Sequence, residues 1–182
     1  TNRNNQFVKM GIPDKAKLKS PDKSEFKQAK EFVELEESKT DYDLLRKDLT
    51  HFMLKIISEN VDSGFPQKIF EIGTVFNQNE KAIVENEKLA AAIIPGNFTE
   101  IKQILLYLFE MIDINLEFRE PGPAFPNWFI EARTAEIILN GESIGYLGEI
   151  HPRILKNWKI KMPVALFELD LEKVFEKFFE QQ

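Results

Sequence analysis

The sequence predicts an α+β domain, a largely antiparallel sheet with helices packed on it. Two segments carry apolar residues at three- and four-residue steps, and these helix patterns sit between shorter runs of strand length. Several neighbouring strand-like runs are joined by turns too short for a parallel crossover, which forces antiparallel pairing. The length of 182 residues corresponds to about one domain at ~150 residues each, and 16 phenylalanines supply much of its core.

In chain order, polar Thr1–Met10 reads as a short helix or a frayed lead-in, and with no methionine before it Thr1 does not look like a natural start. Gly11–Lys30 scatters Lys15, Lys17, Lys19, Lys23, Lys27 and Lys30 among prolines, aspartates and serines. Such a stretch has little to bury and is expected to be a mobile loop. Interleaved acids and the lack of aromatic platforms disfavour a nucleic-acid arm. Glu31–Glu36 reads as a short strand. Asp41–Glu59 is the clearest helix, with Thr40 as N-cap and Asp41 and Asp43 at the positive end of the dipole. Its face of Tyr42, Leu45, Leu49, Phe52, Met53 and Ile56 is widened by Leu44 and Ile57, as expected of a helix that is deeply buried or shared with a partner.

Gln67–Phe76 reads as a strand after the breaker Ser63–Pro66, and Asn77–Lys81 as a turn. Leu89–Ile94 is a continuous apolar run, the mark of a strand buried on both faces, and it stops at Pro95–Gly96. Thr99 is the expected cap of a second helix that carries Ile101, Ile104, Leu105, Leu108 and Ile112. Leu116–Glu120 is a short strand, and three prolines keep Pro121–Asn127 irregular. Phe129–Leu139 and Ser143–Ile150 flank Asn140–Gly141, a hairpin signal because a type I′ turn needs positive φ. A brief helix over Pro152–Trp158, a strand over Val164–Leu171 and a helix over Glu172–Phe179 complete the chain. The division is a lead-in and loop over 1–30 and a single domain over 31–182.

Composition removes several classes of chemistry. Without cysteine there is no disulfide framework, zinc ribbon, iron–sulfur site or thiol nucleophile. His51 and His151 are the only histidines, too few for a histidine-rich metal site. A net charge of −6 disfavours unaided grip on a phosphate backbone. No apolar run approaches the ~18 residues of a membrane span and no signal pattern opens the chain, so a soluble, cytoplasmic protein is expected. Walker and dinucleotide fingerprints are absent. Gly145-x-x-Gly148 lies in a strand and reads as bulge or close packing. His151 reads as a turn or core-edge hydrogen-bonding residue, and His51 as solvent-facing or at an interface. The fragment Phe118–Arg119–Glu120 resembles the strand arginine and following glutamate with which class II aminoacyl-tRNA synthetases hold the α-phosphate of ATP. It runs directly into Pro121–Gly122–Pro123, and no later strand–helix junction supplies an arginine for the γ-phosphate.

Five stretches in order resemble the C-terminal core of the phenylalanine–tRNA ligase β subunit in its archaeal and eukaryotic form. They are Tyr42–Leu49 (YDLLRKDL), Pro66–Gly73 (PQKIFEIG), Gly122–Ala135 (GPAFPNWFIEARTA), Ile144–Ile154 (IGYLGEIHPRI) and Met162–Leu171 (MPVALFELDL). The opening Thr1–Met10 is similar to archaeal sequence leading into this module, and Gly11–Lys30 resembles an insertion. Glu36–Glu37, His51–Phe52 and Ala132 stand where the family usually has Asn-Pro, Pro-Gly and Gly.

The resemblance implies a class II synthetase-like antiparallel sheet flanked by helices, catalytic-like but without working active-site residues. It implies no catalytic, cofactor-binding or metal-binding residue in this domain, while the whole enzyme uses ATP and magnesium. The implied partners are a phenylalanine–tRNA ligase α subunit that performs aminoacylation, a second β subunit in an (αβ)₂ heterotetramer, and tRNA(Phe) through the whole complex only. No membrane is involved. The expected role is assembly, with Tyr42, Leu45, Arg46, Leu49, Phe52, Met53 and Ile56 as interface residues. Arg119 and Arg133 are the candidates for a vestigial cleft, Arg133 with the stronger expectation of an ion pair across the sheet. The rival readings are a small active ligase or nucleotide-binding enzyme using those two arginines, and a tRNA-binding module.

Overall fold

The computed structural model describes residues 45–60, 62–78, 82–122 and 125–179. The expected strand at 31–36, the lysine-rich loop and Tyr42 lie outside the described residues. The elements run α1 (Thr50–Glu59), β1 (Gln67–Gln78), β2 (Ile83–Ile94), α2 (Phe98–Glu110), β3 (Glu117–Arg119), β4 (Phe129–Leu139), β5 (Glu142–Ile150), α3 (Pro152–Asn157), β6 (Ala165–Asp170) and α4 (Leu171–Phe179). Six strands form one sheet in the order β1-β2-β6-β5-β4-β3, and every neighbouring pair is antiparallel. The α+β architecture read from the sequence is the one found.

Alternation along the strands divides the core in two, as the period-2 geometry of a strand demands. Ala90, Ala92, Ile94, Val164 and Leu166 face one side, where Met53, Leu54 and Ile57 of α1 and Ile154, Leu155 and Trp158 of the α3 region cover them. Ile93, Ala165, Phe167 and Leu169 face the other side under Ile101, Leu105 and Phe109 of α2 and Val174 of α4. We call these the α1 face and the α2 face. The run Leu89–Ile94 is continuous because both sides of β2 are covered there.

Local chemistry explains the boundaries. Asn140 and Gly141 both take positive φ, 50° and 83°, and close the β4–β5 hairpin as the Asn-Gly pair predicts. β5 carries a bulge where Ile137 pairs with Gly145 but Ile138 pairs with Ser143. A Cβ at Gly145 would collide with the backbone oxygen of Glu168, so only glycine permits this approach of β5 to β6. α2 begins two residues earlier than expected: Asn97, not Thr99, is its cap, accepting from the Glu100 amide at 3.0 Å. Both α2 and α3 end in a left-handed residue that is not glycine. After α3, Lys159 takes φ 61° while its amide bonds to the Lys156 carbonyl and that of Ile160 to the Leu155 carbonyl, which is a Schellman ending.

The largest departure is at α1. The expected helix from Asp41 begins instead at Thr50, with Leu49 as cap residue. Residues 45–49 are held against β1 rather than coiled. The Arg46 carbonyl accepts from the Phe76 amide at 2.7 Å, and its Nε donates to the Thr74 carbonyl at 2.7 Å. The guanidinium also pairs with Glu71. A Cβ at Gly73 would occupy the space of that guanidinium, so Gly73 provides the seat for Arg46.

Candidate functional site

Register places one row of side chains across all six strands on the α1 face. Glu71 pairs with Ala90, Ala90 with Glu168, Glu168 with Tyr146, Tyr146 with Glu136, and Glu136 with Arg119. Directly paired residues share a face, so this row lies on the side of the sheet that carries Arg119. It holds three carboxylates and one guanidinium.

Glu168, 1% exposed, is the centre of the row. One of its oxygens accepts from the amides of Leu49 and Thr50, both at 3.0 Å, and from the Thr50 hydroxyl at 2.9 Å. Its other oxygen meets Lys88 Nζ at 2.8 Å. A buried carboxylate on the last strand thus supplies the N-cap that Leu49 cannot, and its charge complements the positive end of the helix. Beside it, the Tyr146 hydroxyl stands 3.4 Å from Thr50 Oγ1. Burial, reinforced by the negative charges of Glu168 and Asp48, raises the Tyr146 phenol well above its ordinary value of 10.0. The ring is enclosed by Phe125, Phe129 and Trp128 at centroid distances of 5.9, 5.5 and 6.4 Å. The middle of this face is therefore filled by the chain's own side chains.

A second buried carboxylate does the same on the opposite face. Glu149, 7% exposed, accepts from the Phe98 amide at the start of α2 at 2.9 Å. Its other oxygen receives Arg133 at 2.8 Å. That hydrogen bond and the carboxylate charge raise the Arg133 pKa. The expected ion pair of Arg133 is present, and Glu149 is its partner. Arg133 turns to the α2 side, because Glu149 pairs in register with Ala165 of the α2-face core. Arg119 lies on the α1 face at the sheet edge, half exposed, with Glu117 at 3.5 Å. The two candidate cleft arginines are on opposite faces and do not converge.

The expected interface stripe also divides. Leu49 and Met53 have no exposed surface and pack in the α1-face core. They pack against the sheet, onto which capping by Glu168 draws the start of α1. Leu45 and Phe52 are half-buried, Arg46 is engaged by β1 and lies 5.4 Å from the Phe52 ring centroid, and Ile56 is exposed. His51 is neither solvent-facing nor free: its Nδ1 and amide both meet Asp48 Oδ1, at 2.8 and 3.0 Å. Burial would raise the Asp48 pKa, but attraction to His51 and the hydrogen bonds from it outweigh that and leave it lowered. His151 caps α3, accepting from the Arg153 amide at 3.1 Å, which is the hydrogen-bonding role its position suggests. Sequence reasoning missed Glu168 and Glu149; the available signal was a lone acid inside an apolar strand run, VALFEL and IGYLGEI.

Comparison with known proteins locates this arrangement. Residues 14–171 match the family model described as "Phenylalanyl tRNA synthetase beta chain CLM domain". The chain is 40% identical over 136 residues to the phenylalanine–tRNA ligase β subunit of Thermococcus onnurineus, covering 72% of this chain and 23% of that protein. It is 31% identical over 182 residues to that of Pyrococcus abyssi, covering 97% and 30%. The chain thus spans under a third of the length of these relatives. A pyrrolysyl tRNA synthetase from Desulfitobacterium hafniense, PylSc, superposes with a TM-score of 0.65 at 14% identity, over 93% of this chain and 57% of that one. That likeness identifies a class II synthetase fold.

Proposed function

The chain belongs to the family of the phenylalanyl tRNA synthetase beta chain CLM domain, and from that premise we propose that it is a non-catalytic core of the β subunit that supports assembly of the ligase. In this reading the whole cytoplasmic enzyme, an (αβ)₂ heterotetramer, uses ATP and magnesium to attach phenylalanine to tRNA, and the α subunit carries the chemistry. The supporting observation is the row across the α1 face. Adenylyl transfer from a triphosphate needs converging cations aimed at the charge developing around the α-phosphorus and on the leaving pyrophosphate. Here Glu71, Glu168 and Glu136 line the face, Lys88 is neutralised by Glu168, and Arg119 shares its field with Glu117. These residues do not fit a bound triphosphate.

β1 supports the assembly role. It is a 12-residue edge strand with no neighbour on its outer side among the described residues, and Phe70 and Ile72 are 74% and 57% exposed. A long edge strand carrying exposed apolar side chains is a pairing surface for another chain. On the opposite, α1 face, exposed Ile56 and half-buried Phe52 of α1, with half-buried Leu45 before it, offer further apolar surface. The test mixes the chain with its cognate α subunit and follows co-elution on a sizing column. Wild type should co-elute, and Phe70→Lys together with Ile72→Glu should abolish this without changing the unfolding midpoint. Calorimetry with a phenylalanyl-adenylate analogue should give no saturable heat. Saturable binding to the isolated chain, or no co-elution, overturns the proposal.

A further inference from the structure

We infer that the surface around the end of α3 binds the phosphate backbone of RNA, which in the assembled ligase is the tRNA. The identity of that RNA rests on the reading of the chain as part of a tRNA ligase; the surface itself is defined by independent observations. From His151 to Phe167 the chain carries Arg153, Lys156, Lys159 and Lys161 and no carboxylate, within a protein of net charge −6. All four cations are exposed. Among the described residues none of their side chains enters an ion pair.

Lys156, Lys159 and Lys161 rim a groove of about 520 Å³. Its floor is aliphatic, formed by Ile130, Ile150, Leu155, Ile160 and Met162. Arg133 and Glu149 also border it, but they neutralise each other. With no aromatic ring on the floor there is no stacking platform for bases. The surface is therefore suited to backbone phosphates and carries no sequence readout. Lys159 adds a second argument. It occupies the left-handed ending of α3, where glycine is the usual residue, so a charged side chain stands at a position that local conformation disfavours. Localised charge reverses the expectation drawn from the acidic total, because a phosphate contact senses the potential within about 8–10 Å and not the sum over the chain.

The test uses fluorescence anisotropy of a labelled tRNA transcript with the full chain, from about 50 to about 200 mM salt. Joint Lys156→Gln, Lys159→Gln and Lys161→Gln should weaken binding at least about tenfold at low salt. The slope of log affinity against log salt should flatten by about 2–3, near one per lost phosphate contact. Lys159→Gly separates charge from fold: it should weaken RNA binding while raising the melting temperature, a pairing that a purely structural lysine would not produce. In the assembled ligase the triple variant should raise KM for tRNA and leave phenylalanine-dependent ATP–pyrophosphate exchange unchanged. Failure of wild type to bind the transcript, or identical salt slopes for wild type and triple variant, overturns the inference. So does wild-type binding to polyglutamate in preference to RNA, or loss of α-subunit co-elution in the triple variant, either of which makes the surface a protein contact.

Discussion

Replacing Glu168 by alanine removes four interactions at once: two helix amides, one hydroxyl and one ammonium lose their acceptor. Lys88 is 19% exposed and can turn toward water, so its loss is partly recovered. The Leu49 and Thr50 amides and the Thr50 hydroxyl are buried and have no such route. An unsatisfied buried group costs about 1–3 kcal/mol, and removing one member of a buried pair about 3–5 kcal/mol. These figures describe overlapping effects, so the expected loss is about 3–4 kcal/mol. At an m-value of about 2 kcal/mol per molar urea this lowers the unfolding midpoint by about 1.5–2 M. Glu168→Gln keeps one carbonyl acceptor but loses the charge, and should cost about half as much. A double-mutant cycle with Thr50→Val should return a coupling of about 1 kcal/mol. If Glu168→Ala lies within about 0.5 kcal/mol of wild type, the range of ordinary surface changes, the capping argument is refuted.

Further outcomes follow from the same geometry. Gly73→Ala should evict Arg46 from its seat against β1 and destabilise the fold by about 1–3 kcal/mol, measured by urea unfolding; Arg46→Ala in that background should cost little more. Lys159→Gly relieves a left-handed backbone and should stabilise by about 1 kcal/mol in thermal unfolding. The raised Tyr146 pKa means the unfolded chain ionises this phenol first, so stability should fall as pH rises above about 10; Tyr146→Phe should flatten that limb. Asp48 has the opposite sign: its lowered pKa gives stability that is present above the ordinary 3.8 and lost as pH falls below it, a slope that Asp48→Asn removes.

Strands were legible where local pattern alone decides them. The Asn140–Gly141 turn, the apolar run of β2 and the Gly145-x-x-Gly148 stretch each state their geometry within a few residues. The start of α1 was not legible, because Thr40, Asp41 and Asp43 offer a locally sufficient cap and the competing restraints come from β1 and β6. Arg46 engages residues 25 and 28 positions away, and Thr50 one 118 away, which no window of sequence contains. The opposite faces of Arg119 and Arg133 were hidden for a related reason. β4 takes up extra residues between Phe129 and Thr134, where the register with β5 shifts, and simple alternation cannot be counted through such an irregularity. Glu149 and Glu168 were obscured by number, since thirty acidic residues make any single glutamate inconspicuous.

The acceptor that starts α1 lies 119 positions downstream of the amide it receives. A ribosome adding about 5–20 residues per second needs roughly 6–24 s to cover that interval. Until β6 has left the exit tunnel, α1 lacks its counter-charge, although β1 and β2, on which it packs, are already made. The start of α1 is thus among the last parts of the described fold to be locked, and a nascent chain cut short of β6 holds it without its cap.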